Sequence, residues 1–104
     1  MQTEQLTEQG LTARQHFEKE LAEISFQELQ KHFAKGILIK VASHLDVVEV
    51  ALQIHADNAG QVQQWMDNQD IARAHDEHAK VWLEKRSLLM AVTVAPWVLV
   101  QDIN

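Results

Sequence analysis

The sequence predicts an α+β protein in which helices pack on one face of a small antiparallel or mixed sheet, in the order α-α-β-β-α-α-β. Three observations predict it. The hydrophobic period changes from helical to two just after Gly36 and becomes helical again after Asp57. From Leu88 onward a near-continuous aliphatic run takes over. Capping residues stand where the helical stretches should begin.

The elements follow in order. From Thr12, the residues Phe17, Leu21 and Ile24 recur at steps of four and three, which describes an amphipathic helix ending near Glu23. Ser25 and Glu28 form a capping box, with Ile24 and Leu29 as its hydrophobic staple, so a second helix runs from about Phe26 to Lys35. Gly36 stands at its C′ position, and Lys31 and Lys35 lie near its negative end. Next, Ile37, Ile39 and Val41 alternate, and after Ser43-His44-Leu45-Asp46 so do Val48, Val50, Leu52 and Ile54. That pattern predicts a β-hairpin of strands 37–42 and 47–55, with Lys40 opposite Glu49. Asn58 and Gln61 then cap a helix carrying Val62, Trp65 and Met66 and stopping near Asn68. A further helix spans about His75 to Lys85, with Val81 and Trp82 on its inner side. The last strand, 88–101, contains Pro96, which belongs at an edge, a bulge or a break, so the run reads as two shorter strands bent at Ala95-Pro96.

A chain of 104 residues with 46% apolar content fits one domain, expected over residues 11–104, with a polar, frayed segment at 1–10. The chain has no cysteine, which removes disulfides, thiolate metal sites and cysteine nucleophiles together. A cytoplasmic location is the expectation, because the first ten residues lack the basic and apolar regions of a signal peptide. The apolar run ending at Val100 is about 14 residues long and too short to span a bilayer as a helix, so no membrane partner is expected. A formal charge of −6 argues against binding to nucleic acid. There is no glycine-rich phosphate loop, no Gly-x-Ser-x-Gly and no dinucleotide fingerprint, and no cofactor is expected.

Gly36, the block Leu45-Asp46-Val47-Val48-Glu49-Val50-Ala51, then Val62 and Trp65, and finally Pro96-Trp97-Val98-Leu99-Val100-Gln101 share an order and spacing with a known family. On these residues the chain, from about Leu21 to Gln101, resembles the small bacterial proteins grouped as domain of unknown function 2288. The resemblance implies a small bacterial protein and carries over no activity and no catalytic residue.

Candidate chemistry is sparse. Six histidines invite a search for metal or acid/base sites. His75 and His78, three apart on a helix, offer two metal ligands, whereas a catalytic zinc needs at least three. As helix residues they are better read as a cap and a half-buried packing position. Glu49, His55 and Asp57 would point the same way along the second hairpin strand and make a candidate acid/base site, although a solvated sheet face has the same pattern. Ser43, His44 and Asp46 are too close in sequence to converge as a triad and read as loop residues. Trp97, beside Pro96 in an apolar strand, suggests an edge that a second copy would cover, with Val94, Pro96, Trp97 and Leu99 at the interface. The expected function is a non-enzymatic homodimeric binding or adaptor module, with another protein as a further partner. The alternative is a small metal-dependent or acid/base enzyme using Glu49, His55 and Asp57.

Overall fold

Side-chain caps set where most of the helices begin. The computed structural model describes residues 11–103. Thr12 Oγ1 accepts from the Gln15 N–H, and Gln15 Oε1 accepts from the Thr12 N–H, each at 3.1 Å, which opens α1 (Ala13–Glu20). A short strand, β1 (Ala22–Ser25), follows at once. The Glu28 carboxylate accepts from the Ser25 N–H at 3.4 Å at the start of α2 (Phe26–Ala34), and β2 (Leu38–Val41) comes next. Asp46 Oδ1 accepts from the N–H groups of Val48 and Glu49, at 2.9 and 3.4 Å, and starts α3 (Val47–His55). Asn58 caps α4 (Ala59–Asp67) through the Gln61 N–H. The chain then forms β3 (Ile71–Arg73), α5 (Asp76–Glu84), β4 (Leu88–Val94) and β5 (Trp97–Asp102).

Four of the helices end in the same way. Gly36, Asp57, Gln69 and Arg86 each sit two residues past a helix with φ between 50° and 72°. In each case the next residue's N–H donates to a carbonyl five residues back, as in Ile37 to His32, Asn58 to Gln53, Asp70 to Trp65 and Ser87 to Trp82. This is the Schellman arrangement, which satisfies carbonyls that the helix leaves free. Only at Gly36 does a glycine remove the steric cost of the left-handed backbone.

The five strands form one mixed sheet in the order β1-β4-β5-β2-β3. β4 and β5 make an antiparallel hairpin whose turn is the cis Ala95-Pro96 pair, and β2 lies parallel to β5 with Ile39 beside Leu99. Because side chains alternate along a strand, each strand serves two faces. On the first face Val41, Ile71, Val92, Val94 and Leu99 pack with α1 and α3 through Phe17 and Val47 to Ala51, joined by Val62 and Trp65 of α4. On the second face Leu38, Leu89, Val98 and Val100 pack with α2 and α5 through Phe26, Leu29, Ala79 and Trp82.

The α+β class, the mixed sheet and the helices packed on it are those expected, as are the spans of α2, α4 and α5 and the bend of the C-terminal run at Pro96. Three expectations are corrected. Residues 47–55 are a helix, so the 37–42/47–55 hairpin and its Lys40–Glu49 pair do not form, and the antiparallel partner of β2 is β3. The helices cover both faces of the sheet rather than one. The first helix stops at Glu20 rather than near Glu23, and Ala22–Ser25 form a strand, β1, that pairs with β4 through Ile24 and Leu89. The expected frayed segment 1–10 lies outside the described residues.

Candidate functional site

The C-terminal apolar run pairs within the chain. β5 is the middle strand of five, bonded to β4 on one side and β2 on the other, so the expected free edge there is corrected. Leu99 is 0% and Val94 4% exposed, Pro96 is exposed at the turn, and Trp97 is half-buried. Of the four proposed interface residues, two are core.

Among the described residues, the free edges of the sheet are β1 and β3. Around β3 the hydrogen bonds alternate. Ala74 N–H donates to the Leu38 carbonyl and Ala42 N–H to the Asp70 carbonyl. Antiparallel alternation therefore turns the backbone groups of Ala72 toward Lys40, its register partner, and those of Ile71 and Arg73 outward.

Beside this edge, on the first face, lies a groove of about 390 Å³. Its floor is Ile39, Ile71 and Trp97 from the sheet, and its wall is Ile54, Val62 and Met66 from α3 and α4. Met66 is 52% exposed, a large apolar side chain left at the rim. The Arg73 guanidinium stands 5.4 Å from the Trp97 ring centroid, a cation–π contact that ties the edge strand to the central one. Asp57 and Asn58, at the α3–α4 junction, supply a polar lip. An apolar cleft of this size with a few polar groups at its mouth has the form of a binding site.

The acid/base candidates are not brought together. Glu49 is in the first turn of α3, bonded to the Arg14 guanidinium and accepting from Gln53 Nε2 at 2.8 Å. Gln53 Oε1 in turn accepts from Asn58 Nδ2 at 2.8 Å, so the carboxylate belongs to a chain of side-chain contacts along the helix. His55 sits in the last turn, its ring edge-on to Phe17 at 5.6 Å, and Asp57 lies beyond the C-cap. Positions six apart on a helix lie about 240° around it, so Glu49 and His55 face different ways. The strand face that was expected to align them does not exist.

His75 and His78 do meet. Their ring centroids are 3.9 Å apart, and the His75 backbone N–H donates to His78 Nδ1 at 3.2 Å. A third ligand is missing, since no group of three or more His, Asp or Glu side chains could hold a metal among the described residues. Their surroundings are aromatic: His78 is followed by Trp82, Phe26 and Phe33, with successive centroids 5.8, 5.4 and 5.5 Å apart. Burial chiefly, and then the charges of His75 and Lys40, hold His78 below its ordinary pKa against the opposing pull of Asp102 and Glu77.

Sequence reasoning missed Ile71 and Arg73. Three residues with no alternation carry no strand signal, and their edge position comes from β2, thirty residues earlier.

Among solved structures, the solution NMR structure of PA1075 from Pseudomonas aeruginosa is similar to this chain, with a TM-score of 0.80 and 37% identity, covering 98% of this chain and 94% of that one. The comparison with curated proteins gave no match. The family described as "Protein of unknown function (DUF2288)" matches residues 12–102, which include both strands of the C-terminal hairpin, the α3–α4 junction and every residue named around the groove. On that match and that neighbour, the chain belongs to the DUF2288 family.

Proposed function

We propose that this protein is a non-enzymatic binding module that works as a cytoplasmic homodimer, with β3 as the seam and the groove beside it as the recognition surface. The observation that carries this reading is a sheet edge, unpaired among the described residues, bordered by an apolar groove. A two-fold axis through Ala72 would set Ile71 opposite Arg73 of a second copy, and Arg73 opposite its Ile71. The outward N–H and C=O groups of these residues then pair, and like charges do not face each other. Such a seam joins two five-stranded sheets and brings two grooves side by side, each with a Met66 at its rim. Methionine adapts its shape to different partners, which suits a surface that receives an apolar segment of another protein.

The test is the mass in solution, by size-exclusion chromatography with light scattering, for the natural chain and for Arg73→Pro. A proline at Arg73 removes an N–H that faces outward, so the ladder to β2 is kept while the seam is broken. The expected result is a species of twice the 11.9 kDa chain mass that becomes a monomer in the variant with an unchanged circular dichroism spectrum. A natural chain that is monomeric at micromolar concentration overturns the dimer.

A further inference from the structure

A second cavity, on the other side of the sheet, has a different chemistry. It occupies about 450 Å³ between the end of α5 and the carboxyl ends of the parallel strands β2 and β5. In open sheets with parallel strands, small ligands commonly bind outside the carboxyl ends. The lining is mixed: beside the apolar Val41, Ala42 and Val81 stand Lys40 from β2, Ser43 and His44 from the loop after it, Lys85 and Ser87 from the turn after α5, and Asp102 from the end of β5.

Several of these groups are unspent. None of the ion pairs among the described residues involves Lys40 or Lys85, although Lys40 is half-buried. Ser87 is 8% exposed, and its hydroxyl makes no hydrogen bond within the described residues. A half-buried lysine and a seryl hydroxyl, neither paired among the described residues and both still open to solvent, border the same cavity and can turn to a ligand that enters it. The single carboxylate of the lining, Asp102, accepts from Trp82 Nε1 at 3.0 Å through Oδ1, and His44 is already 3.4 Å from Asp70. The charge of Lys40 is felt by the neighbouring His78, as expected of an ammonium held on the inner side of α5.

We infer that this cavity binds the phosphate group of a small molecule, with Lys40 and Lys85 supplying the charge and the hydroxyls of Ser87 and Ser43 completing the donor set. Two ammonium groups against one carboxylate leave a local positive charge in a chain whose formal charge is −6. That confinement favours a small anion over a polymer, since the negative surface around the cavity repels an extended phosphate backbone. Asp102 lines the cavity and engages Trp82 through Oδ1, which leaves Oδ2 as an acceptor for the hydroxyl of a singly protonated phosphate. The site is separate from the β3 groove, and neither depends on the other.

The test is titration of the full-length, 15N-labelled protein with sodium phosphate at pH 7, against sodium chloride at matched ionic strength, followed by two-dimensional NMR. Saturable shifts are expected at the amides of Lys40, Ser43, His44 and Ser87 with phosphate, and not with chloride. Lys40→Met and Lys85→Ala should each weaken the apparent affinity about tenfold, the step that one charge-assisted contact supplies. Lys85 is exposed, so its replacement tests the site even if Lys40→Met fails to fold. The assignment is overturned if phosphate produces no saturable shift, if chloride reproduces it, or if Lys85→Ala binds as the natural chain does.

Discussion

The two faces of the sheet are buried to similar depth and built from different materials. The first is mainly aliphatic, with Val41, Val92 and Leu99 meeting Val47 to Ala51; among the described residues Phe17 is its one fully buried aromatic, with Trp65 and Trp97 half-buried beside it. The second holds a line of rings from His78 through Trp82 and Phe26 to Phe33, and its polar tips are engaged, Trp82 Nε1 by Asp102 and His78 Nδ1 by the His75 N–H. An aliphatic face can only be packed well or badly. A face of rings with polar tips is held by geometry and charge as well, and it can respond to pH. Near the sheet, Lys40 and Lys85 border the second face without an ion pair, whereas on the first Arg14 and Glu49 pair outside the core and Arg73 lies over the Trp97 ring.

The sharpest way to break this contrast is to truncate the centre of each face. Trp82→Ala should cost about 3–5 kcal/mol and Leu99→Ala about 2–5 kcal/mol, read from urea denaturation midpoints. A cost below about 1 kcal/mol for Trp82→Ala would mean that the second face is not a true core. Trp82→Phe sharpens the comparison further. It keeps a ring but leaves Asp102 without its donor, and should cost about 1.5–3 kcal/mol by loss of one charge-assisted hydrogen bond.

These materials also decide how much of the fold could be read from the sequence. The second-face helices were legible, because Ser25 with Glu28, Gly36 and the acids of Asp76-Glu77 mark α2 and α5 at their ends. Phe26, Leu29 and Trp82 then fall on the inner sides. On the first face, Val47-Val48-Glu49-Val50-Ala51-Leu52-Gln53-Ile54 satisfies both periods. Val48, Val50, Leu52 and Ile54 alternate, while Val47, Val50, Ala51 and Ile54 fit the helical steps of three and four. β-branched residues tilt the reading toward a strand, but Asp46 followed by Glu49 three residues later is a helix start, and it is this signal that the structure follows. β1 and β3 carry no signal of their own. Four and three residues long, they become strands because β4 and β2 offer them hydrogen bonds from distant parts of the chain. The candidate sites share that limit: the groove draws on residues from Ile39 to Trp97 and the cavity on residues from Lys40 to Asp102.

Asp46 therefore offers a smaller test on the first face. Asp46→Ala removes an acceptor shared by the N–H groups of Val48 and Glu49, and should cost about 1 kcal/mol, within the usual range for an N-cap. Asp46→Ser should restore most of it. If both variants are as stable as the natural chain, α3 is held by burial of its valines alone and the cap is incidental.

The smallest effect separates the faces by kind rather than by size. His78 is held below its ordinary pKa of 6.5, so between its folded value and 6.5 the unfolded chain binds the extra proton and the folded chain does not. Its contribution to stability is then complete above pH 6.5 and is lost as pH falls through the folded value. His78→Gln should flatten the stability profile of the natural chain over that window. A first-face substitution such as Leu99→Val should lower the whole profile without changing its slope there. The titration can also be followed directly from the His78 ring by NMR, where Lys40→Met should move its midpoint upward, because Lys40 is one of the charges that disfavour the imidazolium. A His78 midpoint at or above 6.5 in the natural chain would remove the electrostatic difference between the faces and leave only the difference in packing.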